Sequence, residues 1–307
     1  MADERNFRSH FYEKMGFRGV EENKVIENLL KEQPYELKKL SQFCLKFPVP
    51  AIYRLLVWKV LLGILPPYQE SHEFVMTMRT DQFNDLMHSL KVMGKVDDRT
   101  PLPLVFLKMY HMEEGTLLFD ENRLVMQPEG QSFMAVAAAV LEMVESHIDA
   151  YWISTKFYKL QEKWKDIMHV LSERTEHYLK KEDPDGKLYT KVLNLNIFGA
   201  IPLSRWFSSS FAGVLPETSF ERIWDKIIGG SCTVLVFVAV AIILTLRRPI
   251  LTLRTDAEIV QYLKNIPADS ADIIVAKAVE LWRSHGSLLF PSGIKADSPV
   301  IIEKVPS

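Results

Sequence analysis

Apolar side chains recur every three or four positions along nearly the whole chain, and stretches that alternate apolar and polar in strand fashion are few. The pattern predicts a succession of helices. Val25, Leu29 and Leu30 mark a short first helix that Pro34 breaks; Leu37, Leu40, Phe43 and Cys44 mark the next, ended by Pro48 and Pro50. Residues 51–62 form a helix apolar almost all round, with Arg54 and Lys59 as its only charges. It is expected to be buried on most sides and to stop at Gly63, before Pro66 and Pro67. Phe74, Met78, Phe83, Leu86, Met87 and Leu90 place an amphipathic helix over 71–93, closed by Gly94. A helix with proline at its first position follows over 101–114, and residues 116–130, with Pro128 and Gly130, read as a loop.

A helix over 131–147 carries the small-residue string AVAAAV, which lets neighbouring backbones approach closely. Asp149 is expected to cap the next, over 151–160. The run EDPDG at 182–186 is the strongest turn signal in the chain and is read as a loop between two helical lobes. It lacks the alternating carboxylates and distant glutamate of a calcium-binding loop. Beyond it the pattern predicts helices over 187–196, 202–213, 218–228 and 232–246. Thr255 with Glu258 forms a capping box for a helix to 265, and Asp269 or Ser270 caps a last helix to 284. The tail from Gly286 is rich in Pro and Ser and reads as flexible, with Val300, Ile301 and Ile302 able to add a short strand. The expected fold is all-α, a two-lobed array of roughly fifteen helices. Residues 1–44 form an N-terminal helical segment packed on a domain over 45–285, whose lobes divide near 182–187, and 286–307 form the tail.

Composition agrees with this picture and narrows the chemistry. In 307 residues there are 48% hydrophobic side chains and 13 glycines, which favours a helical protein with a sizeable core over folds built from tight turns. With 37 basic and 39 acidic side chains there is no excess of cations to hold a phosphate backbone, so nucleic acid is not an expected partner. Cys44 and Cys232 sit in apolar surroundings without metal-ligand spacing, as buried reduced thiols do. The N-terminal MADERNFRSHFYEK has no apolar run of the secretory kind, so the expected address is cytoplasmic. One segment competes with that address: residues 227–246 form a run of twenty uncharged residues, and a membrane-anchored helical protein is one reading of it. Gly229, Gly230 and Ser231 read better as a turn, leaving 232–246 as a buried helix too short to span comfortably. No phosphate-binding, dinucleotide, zinc-protease or hydrolase motif occurs, and the eight histidines are scattered, so no metal or cofactor is expected.

The tryptophans are more informative. Trp58, Trp152, Trp206 and Trp224 sit in helical apolar contexts that suit core anchors. Arg54 lies four residues before Trp58, where its guanidinium can cover the indole or reach another helix. In Arg222-Ile223-Trp224-Asp225 an arginine and a carboxylate flank a ring, and charges so placed usually pair inside the domain. The stretch RWFSSSFAGVLPETSFERIWDKIIGG at 205–230, with Arg205, Trp206, Arg222, Trp224 and Asp225, closely resembles the signature of TBC domains, the all-helical modules of Rab GTPase-activating proteins. Arg54-x-x-x-Trp58-x-x-Leu61-Leu62-Gly63 resembles the family's opening motif, and Asp149-Ala150-Tyr151-Trp152 its midway element. Together the three cover residues 45–285 and imply a TBC fold.

Activators of this family insert an arginine and a glutamine against the developing charge of GTP hydrolysis, within I-x-x-D-x-x-R and Y-x-Q-G-M. Neither pattern is intact here. The nearest arginine is Arg99, with Val96 where the aspartate belongs and Asp97 one place out of register, a rotation of about 100° on a helical turn. The nearest glutamine is Gln131, with Glu129, Ser132 and Phe133 in place of the motif's tyrosine, glycine and methionine. The pair reads either as a dual finger or as a loop arginine and a solvent-facing glutamine; the second is preferred, because fingers need a supporting shell. Within the family the chain looks most like the small third subunit of the tuberous sclerosis complex. That resemblance implies a non-catalytic interaction subunit, bound to the hamartin coiled coil alongside tuberin. It also implies support of GTPase activation on Rheb, restraint of mTORC1 signalling, and recruitment through partners to lysosomal or vesicle membranes. The alternative is an active Rab GTPase-activating protein using Arg99 and Gln131.

Overall fold

The computed structural model describes residues 18–117 and 121–289, and among them it is all-helical, with seventeen α-helices, three single 3₁₀ turns and no strand. The N-terminal elements follow the sequence pattern. α1 (Arg18–Lys31), α2 (Leu37–Lys46) and α3 (Ala51–Leu61) are separated by the expected prolines, and Gly63 leaves α3 in the left-handed conformation, φ 70°. α3 is buried or half-buried on most sides, as expected: Arg54, Val57, Trp58 and Val60 face inward, and Ile52 stands out at 61% exposed. α4 (His72–Val92) buries Phe83 and Leu90, while Phe74 and Met78, expected on the same face, point to solvent. α5 (Leu102–Glu113) opens after Pro101.

The loop expected over 116–130 is partly helical. α6 (Glu121–Met126) interrupts it, and Pro128 opens α7 (Pro128–Met143), because proline at a first helical position lacks only an N–H that has no partner there. Ser146, not Asp149, caps α8 (His147–Glu162): its hydroxyl accepts the Asp149 N–H at 3.3 Å, and the Asp149 carboxylate turns to Lys59 at 3.0 Å. α9 (Met168–Glu182) has no counterpart in the sequence pattern, since its buried face is only Leu171, Thr175 and Leu179 on a strongly polar helix. The turn at 182–186 is present, with Gly186 at φ 68° starting α10 (Lys187–Asn194).

Next come α11 (Ile197–Ala200) and α12 (Leu203–Ser208). α12 is shorter than expected because Ser210 and Phe211 take positive φ, turning the chain so that Trp224 Nε1 reaches the Ser210 carbonyl at 3.0 Å. α13 (Glu217–Ile228), α14 (Val234–Thr245), α15 (Arg247–Thr252), α16 (Asp256–Lys264) and α17 (Ala271–Ser284) complete the array. The capping box at Thr255 and Glu258 is formed in both directions; Ser270 precedes α17 without a side-chain cap bond.

The uncharged run 227–246 is not one helix. It is split between the end of α13 and α14 by Gly229 and Gly230, and every side chain from Val234 to Leu244 is buried, with α9 and α17 packed on α14. Twelve residues reach about 18 Å, against about 30 Å of hydrocarbon, which corrects the membrane-anchor reading of this run. No helix among the described residues is long and apolar enough to cross a membrane. One apolar cluster runs from Leu45 to Trp282, and a smaller one joins α1, α2 and α3. Cys44 and Cys232 are both buried and free, and burial pushes the Cys232 thiol up to about 12. The expectations for residues 1–17 and for Val300 to Ile302 fall outside the described residues. The chain is secured up to Leu288, whose carbonyl accepts the Ser231 hydroxyl at 2.9 Å, the Trp282 indole at 3.2 Å and the Thr233 hydroxyl.

α6 lies so close to α7 that a Cβ on Gly130 would sit 1.9 Å from the Leu124 carbonyl oxygen. Gly130→Ala, although it favours helix intrinsically, is therefore expected to destabilise the protein by at least about 1–3 kcal/mol, read from the urea midpoint. An unchanged or raised midpoint contradicts this packing.

Candidate functional site

The residues of the sequence signature meet around one carboxylate. Asp225, on α13, is fully buried; its Oδ1 accepts the Trp58 indole N–H at 2.9 Å and Arg54 Nε at 3.3 Å, and its Oδ2 accepts the Val49 backbone N–H at 3.1 Å. Arg54 also pairs with Glu221, one turn before Asp225, and donates to the Val49 carbonyl at 2.6 Å. The guanidinium thus reaches another helix. Trp224 lies behind, stacked on Phe157 at 4.2 Å between ring centres, 4.9 Å from Phe220 and 6.1 Å from Trp58. The neighbouring Lys226 is buried too: it donates to the carbonyls of Cys44 and Phe47 at the end of α2, and burial pushes its pKa down to about 8. Ser41 adds a bond to the Gly229 carbonyl at 2.7 Å.

Not every signature residue joins this knot. Arg222 does not pair with Asp225, as the sequence suggested; it is half exposed and faces Asp272 at 3.9 Å. Trp152 is buried elsewhere, with its indole donating to the Arg79 carbonyl at 3.2 Å and the Arg79 guanidinium 4.6 Å from its ring centre. Arg79 in turn donates to the Ile64 and Gly63 carbonyls, fastening α4 to the end of α3. Trp206 is buried against Phe211, and Arg205 is exposed. Glu221 and Lys226 are contributors that the motif reading missed; Glu221 stands four residues before Asp225, a spacing that puts both acids on one face.

At the candidate finger positions the substitutions have visible occupations. Val96 is buried in the core, and Asp97 is turned to its own loop, where its Oδ1 accepts the Arg99 backbone N–H at 3.0 Å and the Thr100 hydroxyl at 2.8 Å. Those bonds, the Thr100 hydroxyl foremost, hold the Asp97 carboxyl below its ordinary range. The Arg99 side chain is exposed. Gln131, in the first turn of α7, is exposed and donates to the Met126 carbonyl at 3.5 Å. Glu129 pairs with Lys165 at 3.0 Å; Ser132 bonds the Ser208 hydroxyl at 2.7 Å; Phe133 is packed between Tyr110 and Tyr158. No hydrogen bond or ion pair joins Arg99 to Gln131 among the described residues. No group of acidic, histidine or cysteine side chains there could hold a metal.

Comparison with known proteins agrees with the geometry. "TBC1 domain family member 7" of Homo sapiens is 46% identical over 283 residues, 92% of this chain and 96% of that protein; the Danio rerio protein of the same name is 42% identical over 291 residues, 93% and 97%. The chain belongs to the TBC domain family. The Rab-GTPase-TBC domain family matches residues 129–251, which include α7, α8 and the Trp224–Asp225 pair. Among solved structures, the Ypt/Rab-GAP domain of Gyp1p shares the TBC fold at a TM-score of 0.57 and 15% identity, over 87% of this chain and 98% of that one. The Chlamydomonas flagellar RabGAP TBC domain gives 0.54 at 15%, over 90% and 94%.

Two measurements test the knot. Asp225→Ala removes the acceptor of the buried Trp58 and Val49 N–H groups and one of the two acids paired with Arg54, and is expected to cost about 3–5 kcal/mol in chemical denaturation; a loss no larger than for a surface acid overturns the assignment. Lys226, lowered to about 8 from 10.5, binds fewer protons folded than unfolded between those values, so its unfavourable contribution is full below about 8 and fades as pH rises. The stability advantage of wild type over Lys226→Met is accordingly expected to grow between pH 7.5 and 9.5. A difference that shrinks or stays flat contradicts the depressed pKa.

Proposed function

We propose that this TBC protein is an interaction subunit without strong activator activity of its own. It associates with the tuberous sclerosis complex through the coiled-coil region of hamartin, alongside tuberin. It supports the complex's GTPase-activating action on Rheb and thereby the restraint of mTORC1 signalling. Residence in the cytoplasm, with recruitment to lysosomal or vesicle membranes through these partners, belongs to the same reading. The names of the 42–46% identical relatives favour this branch of the family over a general Rab activator.

The observation that carries the reading is the outer face of α4. Phe74, Met78, Asp81, Asp85, His88 and Val92 are all exposed and succeed one another in steps of four, three, four, three and four residues, the repeat by which helices pack along a shared seam. Phe74 is 67% exposed and Val92 73%. Large apolar side chains presented at this spacing on a helix fastened from its inner side suit helix-on-helix docking. The finger positions favour the same reading: Asp97 is committed to its turn and Glu129 to Lys165, so neither is placed to steady a catalytic side chain.

Phe74→Ser combined with Met78→Ser is expected to lower co-purification with the hamartin coiled-coil region at least about tenfold, while Arg99→Ala and Gln131→Ala leave it intact. Over a panel of Rabs and Rheb, the isolated protein is expected not to raise GTP hydrolysis. Acceleration of a Rab that Arg99→Ala abolishes would identify the chain as an active Rab GTPase-activating protein and overturn the proposal.

A further inference from the structure

We infer that Asp81 and Asp85, in the middle of the exposed row on α4, select the charge of the helix that docks there: it presents two basic side chains three or four residues apart between apolar flanks. This rests on the docking reading of α4 and makes a separate claim about the chemistry of the partner.

The row is apolar at its ends, with Phe74 and Met78 before the two acids and Val92 after them. The two carboxylates stand four residues apart on one helix face, a spacing at which like charges repel. Among the described residues neither Asp81 nor Asp85 accepts a hydrogen bond or makes an ion pair, and the residues three and four away from each include no lysine or arginine. Both strong cations of α4 are engaged elsewhere: Arg79 points inward to the Gly63 and Ile64 carbonyls over Trp152, and Lys91 pairs with Asp98 at 3.1 Å. Elsewhere Asp149 is answered by Lys59, and Asp183 and Asp185 by Arg247.

A helix laid along this row covers the two carboxylates as it covers Phe74 and Val92. An apolar or acidic facing residue would leave them desolvated and unpaired, which is costly, whereas a basic pair in register converts the same desolvation into specificity and faster encounter. The same charge argues against other occupants. A second copy docked through this face would bring four carboxylates together, and an anionic lipid surface would be repelled.

The test measures binding of the purified full chain to the hamartin coiled-coil region by calorimetry, between about 50 and about 500 mM NaCl. Wild-type affinity is expected to fall with salt. Asp81→Asn with Asp85→Asn removes most of that dependence, and Asp81→Lys with Asp85→Lys weakens binding at low salt by about tenfold or more. Circular dichroism and the thermal midpoint, expected unchanged for these surface positions, separate charge from misfolding. If charge reversal leaves affinity and salt dependence as in wild type while Phe74→Ser with Met78→Ser still removes binding, the charge-selection inference is wrong and the docking reading stands. If the apolar substitutions have no effect, or no binding occurs, the docking reading fails and this inference with it.

Discussion

A carboxylate without solvent must be matched bond for bond, and the Asp225 side chain is matched entirely by groups from the N-terminal third of the chain. That requirement fixes how α3 lies on α13, and through the carbonyls held by Lys226 it also fixes where α2 ends. An apolar contact would tolerate sliding and repacking; a charged group with directional partners does not. The knot therefore acts as a register mark between the helices that begin the domain and the signature helix that comes long after them, with the aromatic stack around Trp224 filling the space behind.

The same chemistry explains why α4 can offer a face to the outside. Its inner side is tied by Arg79 and by Trp152, whose ring lies under the guanidinium and whose N–H returns to the Arg79 carbonyl. With orientation settled there, the outer residues are not needed for the fold, and Phe74 and Met78 can stay in water in the free chain. Beside the exposed Arg99 and Gln131, Val96 and Phe133 fill the core, while Asp97 closes a turn and Glu129 makes a surface pair.

Much of this was legible from local sequence rules. The capping box at Thr255 and Glu258, the break at Gly229 and Gly230, and the reach of Arg54 to another helix each follow from one or two residues and their spacing. What was hidden depends on neighbours far along the chain. α9 buries so few apolar residues that its helix is invisible to periodicity until α14 packs on it. The Asp149 carboxylate left its capping role for Lys59, ninety residues away, and Ser146 took it over. On α4 the pattern was right about helix and wrong about burial, because apolar residues on two faces sum to an ordinary amphipathic count. The candidate finger residues were correctly located on a loop and a helix start, but the occupations of Asp97 and Glu129 could be seen only in three dimensions.

Arg54 and Asp225 are separated by 171 residues, and that distance has a meaning during synthesis. At roughly 5–20 residues per second, the first helices leave the ribosome on the order of ten to thirty seconds before the carboxylate that anchors them. Through that interval Arg54 and the indole of Trp58 wait for the Asp225 carboxylate, and the sides of α2 and α3 that α13 covers wait with them. The knot is therefore a contact that closes only once the signature helix has been made, joining the second half of the chain back onto its start.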